Sequence, residues 1–147
     1  MNRKKFISTC SKSCLVILGG GFSFLQGCMG IQYVTAQLVG ADMIVPVSAF
    51  ESEKSGTIYY KKYVIAQHEN LQYPICIYRI SANEYQALLM KCTHQGTELQ
   101  VFGDRLQCPA HGSEFTRNGA VQNGPAEEPL RTFRVQIENE TLKIHLT

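Results

Sequence analysis

From residue 43 onward, apolar and polar residues alternate in short runs separated by turn-forming residues, the pattern of half-buried strands. Met43–Val47 predicts a first strand. Pro46 confines it to an edge or a bulge, because proline lacks the N–H that a central strand donates. The stretches 59–67 and 73–80 predict two more runs, divided by the polar His68-Glu69-Asn70. Residues 85–91 suit a strand or a helical turn by propensity, and strand is preferred because the run must deliver Cys92 to a loop. At the C-terminal end Phe133, Val135 and Ile137 alternate with Arg134, Gln136 and Glu138; Leu142, Ile144 and Leu146 alternate with Lys143 and His145. Asn139-Glu140 is the turn of that hairpin. The expected class is all-β, an antiparallel sandwich.

Composition narrows this picture in two places. With 147 residues the chain has room for one domain and a leader. Its net charge is only +2, with no Lys/Arg run beyond the extreme N-terminus, so nucleic acid is not an expected partner. The leader itself is informative. Arg3, Lys4, Lys5 and Lys12 precede an apolar, glycine-rich stretch that ends in Leu25-Gln26-Gly27-Cys28. A basic region followed by a short apolar one is the build of an export signal. The last four residues resemble a bacterial lipobox, which marks Cys28 for lipidation. No charged residue falls between Lys12 and Asp42, so an uncleaved anchor is an alternative, since a span takes roughly 20 residues. Arg3-Lys4-Lys5-Phe6-Ile7 also looks like a weakened twin-arginine signal. Each reading leaves the main domain outside the cytoplasm. The division is an export signal at 1–27, a tether at 28–41 and a folded domain at 42–147, on the periplasmic side of a bacterial membrane.

Six cysteines, at 10, 14, 28, 76, 92 and 108, would ordinarily be read as disulfides in an exported chain. Three of them belong to the leader, which weakens that reading. Cys76 sits within the apolar run Ile75-Cys76-Ile77 and reads as a small buried hydrophobe. His145 falls on the polar face of the last strand and His68 in a turn, so each is read as a solvated residue rather than a ligand. Two segments remain: Cys92-Thr93-His94-Gln95-Gly96 and Cys108-Pro109-Ala110-His111-Gly112-Ser113. Each offers one thiol and one imidazole. Between them Gly103-Asp104 suits a II′ hairpin turn, which would bring the two loops side by side. Gly96 and Gly112 leave room for backbone to approach a cofactor. Structural zinc sites usually pair like ligands, as in C-x(2–4)-C and H-x(3–5)-H. Here each loop supplies one of each type, which suits a binuclear cluster better, although zinc stays open.

These two boxes resemble the motif of Rieske [2Fe–2S] proteins, and Gly124-Pro125-Ala126 looks like that family's proline loop. The resemblance covers residues of about 42–147, with the cluster-binding part at about 91–129. It implies that Cys92 and Cys108 ligate the buried iron and that His94 and His111 ligate the outer one, in a single [2Fe–2S] cluster. Two neutral imidazoles in place of two thiolates make the oxidised cluster less negative, which raises its potential above that of all-Cys ferredoxins. Respiratory members carry one further Cys in each box, joined as a disulfide; here Thr97 and Ala110 stand in those places. Ser113 keeps a hydroxyl able to donate to a cluster sulfur, but Phe115 stands where those members carry Tyr. Fewer donors to sulfur imply a lower potential.

Three functions compete. The first is a one-electron carrier or subunit, serving an oxidoreductase or respiratory complex outside the cytoplasm, with redox proteins as partners. The second is the ferredoxin of a ring-hydroxylating oxygenase, against which the leader argues. The third is a zinc-stapled β module without redox activity. An oxygenase catalytic subunit is not expected, because these residues leave little room for a second domain and no spare 2-His-1-carboxylate set remains after the cluster takes two of the four histidines.

Overall fold

The computed structural model describes residues 33–147; the signal read at 1–27 and the lipidation candidate Cys28 lie outside the described residues. Fourteen strands follow one another: β1 (Tyr33–Thr35), β2 (Gln37–Val39), β3 (Asp42–Pro46), β4 (Glu51–Lys54), β5 (Thr57–Tyr60), β6 (Tyr63–Gln67), β7 (Ile75–Ser81), β8 (Glu84–Leu89), β9 (Gln100–Phe102), β10 (Arg105–Gln107), β11 (Glu114–Thr116), β12 (Val121–Asn123), β13 (Thr132–Glu138) and β14 (Thr141–His145). Among the described residues the only helical element is a 3-10 turn, Val47–Phe50. The class is all-β. Eight strands form a barrel-like sheet in the order β1-β6-β7-β8-β13-β14-β3-β2; four more form the order β12-β11-β10-β9, and β4 pairs only with β5.

Four details depart from the sequence reading. Every named pair is antiparallel except β1 with β6, which run parallel with Tyr33 opposite Ile65. Strands β1 and β2 occupy part of the stretch read as a tether. They are short, and their residues alternate between exposed and half-buried, which leaves a weak hydrophobic signal. The run read as 59–67 breaks at Lys61-Lys62. Its first part turns out to belong to the β4–β5 hairpin, where Lys61 N–H donates to Phe50 O at 2.7 Å. Strand β3 is not the edge strand that Pro46 suggested: it lies between β14 and β2, and Pro46 is accommodated because it is the strand's last residue. At the C-terminal turn Asn139 and Glu140 both have positive φ, 47° and 61°, the backbone of a I′ turn.

Strands β6, β7 and β8 are covered on both faces. Successive side chains point to opposite faces of a strand. Accordingly Val64, Ala66, Ile75, Ile77, Tyr85 and Ala87 enter one core with Met43, Val45, Phe50, Leu142 and Ile144. Their neighbours Ile65, Cys76, Tyr78 and Leu88 enter a second core with Met90, Cys92, Leu106, Cys108 and Phe115. This double coverage is why these strands read as nearly continuous apolar runs. The second core is the floor beneath the two boxes.

Candidate metal centre

Both boxes are closed loops built to one pattern. Box 1 leaves β8 through Met90, whose carbonyl accepts from Leu99 N–H at 3.0 Å, and the backbones of Lys91 and Glu98 pair in an isolated antiparallel β-bridge. Inside it, Cys92 N–H donates to Thr97 O and Gly96 N–H to Cys92 O, each at 2.8 Å. Box 2 grows from the β10–β11 pair, where Gln107 opposes Glu114. Inside it, Cys108 N–H donates to Ser113 O at 2.8 Å and Gly112 N–H to Cys108 O at 3.0 Å. Gly96 and Gly112 occupy equivalent places with φ of +75° and +78°. A side chain is strained in that left-handed region, so the conformation itself calls for glycine. The connecting turn behaves as expected: Gly103 has a φ of +67°, and Asp104 is not left-handed.

The four ligand candidates sort by chemistry. Cys92 and Cys108 are 1% and 2% exposed. His94 and His111 are exposed, with ring centroids 5.1 Å apart and planes at 87°. Burial alone would push the Cys108 thiol up. The backbone N–H groups of His111 and Ala110, together with the Cys92 and Thr97 side chains, outweigh it and hold the thiol below its ordinary value. The thiolate is the form that binds a metal, so for Cys108 the shift runs in the direction a ligand needs. Among the described residues, no three His, Cys, Asp or Glu side chains are placed to hold one metal ion. Two inner thiols and two outer imidazoles, in pairs, fit the two irons of a [2Fe–2S] cluster.

Further residues brace the loops. Ser113 is fully buried, and its Oγ accepts from Ala126 N–H at 3.0 Å. Box 2 is thereby tied to the segment that contains Gly124 and Pro125. Phe115 is fully buried in the second core, opposite Leu106, and brings no hydroxyl. Two contacts had no signal in the sequence. Tyr73, in the β6–β7 loop, donates its hydroxyl to Gly96 O at 2.7 Å. Thr93 Oγ1 donates to Glu128 O, also at 2.7 Å. Box 1 is thus pinned from both sides by residues distant in the chain. Beside it an open cleft of about 630 Å³, lined by Tyr73, Lys91, His94, Glu128 and Arg131, leaves the outer imidazole approachable.

The other singled-out residues stay away from the site. Cys76 is wholly buried among apolar side chains, and burial raises its thiol far above the ordinary range. His68 Nδ1 accepts from Asn70 N–H within a turn. His145 is half-buried rather than solvated: its Nδ1 lies 2.7 Å from Asp42 Oδ1 and its Nε2 lies 2.8 Å from Gln136 Oε1. Among the described residues Cys76, Cys92 and Cys108 are free thiols.

Comparison with known families decides between the readings of the paired boxes. The profile of the Rieske [2Fe-2S] domain matches residues 44–134. The chain belongs to the Rieske family. This Rieske domain therefore takes a single [2Fe–2S] cluster. It is 34% identical over 59 residues to the cytochrome b6-f complex iron-sulfur subunit 2 of Nostoc sp. (strain PCC 7120 / SAG 25.82 / UTEX 2576), across 39% of this chain and 33% of that subunit. It is 43% identical over 47 residues to methylxanthine N1-demethylase NdmA of Pseudomonas putida, across 30% of this chain and 13% of that enzyme. The matched stretch thus spans a third or less of these relatives. Among solved structures, the cyanobacterial plasma membrane Rieske protein PetC3 from Synechocystis PCC 6803 aligns with a TM-score of 0.49 at 23% identity, over 56% of this chain and 85% of that one.

Proposed function

We propose that Cys92 and Cys108 ligate one iron of the cluster and His94 and His111 the other, and that the protein passes single electrons at the outer face of a bacterial membrane. The observation that carries this reading is the sorting of the four side chains, thiols buried and imidazoles exposed. A bound [2Fe–2S] cluster supplies one-electron redox chemistry, and the chain's own residues govern its surroundings. The second core shields the thiol side from water. The exposed imidazoles form the side that a redox partner reaches. Ser113 accepts Ala126 N–H through its oxygen, so its own proton would stay free to donate to a bound cluster. Phe115 lacks such a proton, which supports a potential below that of the respiratory subunits.

The leader supports placement. In this proposal residues 1–27 direct export, Cys28 carries lipid, and the folded domain begins near Tyr33. An exported carrier or subunit for an oxidoreductase or respiratory complex is favoured over an oxygenase ferredoxin because of that leader.

The deciding experiment measures iron, acid-labile sulfide and the reduced-state EPR spectrum of the purified protein. Iron and sulfide in equal amounts, with a Rieske-type spectrum, are expected. A colourless, zinc-loaded protein would overturn the ligand assignment.

A further inference from the structure

We propose that the β4–β5 hairpin rests on the phospholipid surface of the bilayer and orients the domain, so that both boxes face the aqueous phase. This inference rests on the reading of Cys28 as a lipid anchor.

The argument begins with strand direction. Strand β1 runs parallel to β6, with Tyr33 opposite Ile65 and Thr35 opposite Gln67. Strand β7 reverses against β6, and β8 reverses again against β7. Strands β1, β6 and β8 therefore point to one end of the sheet, and β8 continues past Leu89 into box 1. The chain enters β1 from the opposite end. That opposite end carries the hairpin. Its base closes just before β6, where Lys61 N–H meets Phe50 O. Near the far end of β7, Arg79 donates its N–H to Lys62 O at 2.9 Å and sets its guanidinium 4.3 Å from the Tyr60 ring centre.

The hairpin's surface calls for a partner. Ile58, Tyr59 and Tyr60 are 56%, 55% and 52% exposed. They are consecutive on a strand, so they project to both sides of the ribbon. Register places Ile58 and Tyr60 opposite Glu53 and Glu51, and Tyr59 opposite Ser52. Every residue of both strands is exposed. Tyrosines with an aliphatic residue, flanked by the exposed Lys54 and Lys62, match the composition of a membrane–water interface. Glu51 and Glu53 offset those two lysines, and Lys61 and Arg79 at the base leave a small positive excess that zwitterionic headgroups accommodate.

Chain length supplies the occupant. From Cys28 to Tyr33 the chain spans at most about 18 Å even if fully extended. An acyl chain on Cys28 therefore keeps the entry end of the domain against the bilayer, and the hairpin is rooted at that end.

The chain contains no Trp, so a single introduced one reports on its own surroundings. Full-length protein purified with its lipid is reconstituted in phosphatidylcholine vesicles, with and without brominated acyl chains. Tyr59→Trp and Ile58→Trp sit on the hairpin; Gln72→Trp sits in the β6–β7 loop beside box 1. Bromine is expected to lower emission from the two hairpin variants and to leave Gln72→Trp unchanged. If the protein floats with the vesicles but the hairpin variants keep their emission, or Gln72→Trp loses as much, docking is overturned while the anchor stands. Protein that neither floats nor carries acyl mass on Cys28 overturns the anchor reading, and the docking with it.

Discussion

The two cores share strands β6–β8 yet are organised by different forces. On one face, Met43, Val45, Ile75, Ile77, Leu142 and Ile144 pack from strands several residues long. This side closes chiefly by hydrophobic burial. On the other face the strands β9–β12 are each three residues long. Their core mixes Leu106 and Phe115 with the thiols of Cys76, Cys92 and Cys108. Strands that short rarely hold together unaided. Their order depends on loop hydrogen bonds and, when loaded, on ligand bonds that couple binding to folding. One sheet thus serves a self-sufficient half and a dependent one.

The sharpest way to separate them is to remove a ligand candidate. Cys108→Ser should abolish cluster iron, while far-UV circular dichroism still shows the β sandwich. Joint loss of both signals would mean that the halves are a single unit. The converse change, Ile77→Ala on the first face, should cost about 2–5 kcal/mol in denaturant unfolding. The EPR spectrum of the molecules that remain folded should stay as it was.

Finer changes test the tuning of the dependent half. Phe115→Tyr adds one donor near the sulfurs and should raise the midpoint. A bond favouring the reduced state by about 1 kcal/mol corresponds to roughly 40 mV for one electron; redox titration reads this directly. Tyr73→Phe deletes only the hydroxyl that holds Gly96, at a cost of about 1 kcal/mol. Its expected signature is faster bleaching of the cluster in mild denaturant, with unchanged iron content at the outset. The smallest effect belongs to the first half. Desolvation pushes the Asp42 carboxyl up, but His145 and Lys143 outweigh it and hold the group below the usual carboxylate range. A depressed value stabilises the fold above the unfolded carboxylate pKa and is lost as pH falls through the folded one. Stability should therefore drop slightly below about pH 4, and Asp42→Asn should flatten that drop.

The same contrast explains what the sequence made legible. Alternation at Phe133–Leu146 marked β13 and β14 because one face meets the core and the other does not. Strand β4, Glu51 to Lys54, was invisible because all four residues are exposed and no burial pattern exists to read. The boxes were legible for a chemical reason: thiol, imidazole and left-handed glycine must recur at set places in each loop. Tyr73 and Thr93 were not, since a single hydroxyl reaching across 23 or 35 residues leaves no local trace. His145 was misjudged because alternation says which face a side chain occupies, not that Asp42 and Gln136 wait there for it.

The shared floor also sets an order of events. Ile65, Cys76, Tyr78 and Leu88 belong to strands of the self-sufficient half while forming the base of the other. Opening of β9–β12 leaves the first core intact, whereas melting of β6–β8 removes the ground on which both boxes stand. Amide hydrogens of the short strands should then exchange by local excursions, and those of β7 only when the whole domain unfolds. A cluster lost to oxidation would leave behind a folded scaffold, with its amides still protected and its loops open for reloading.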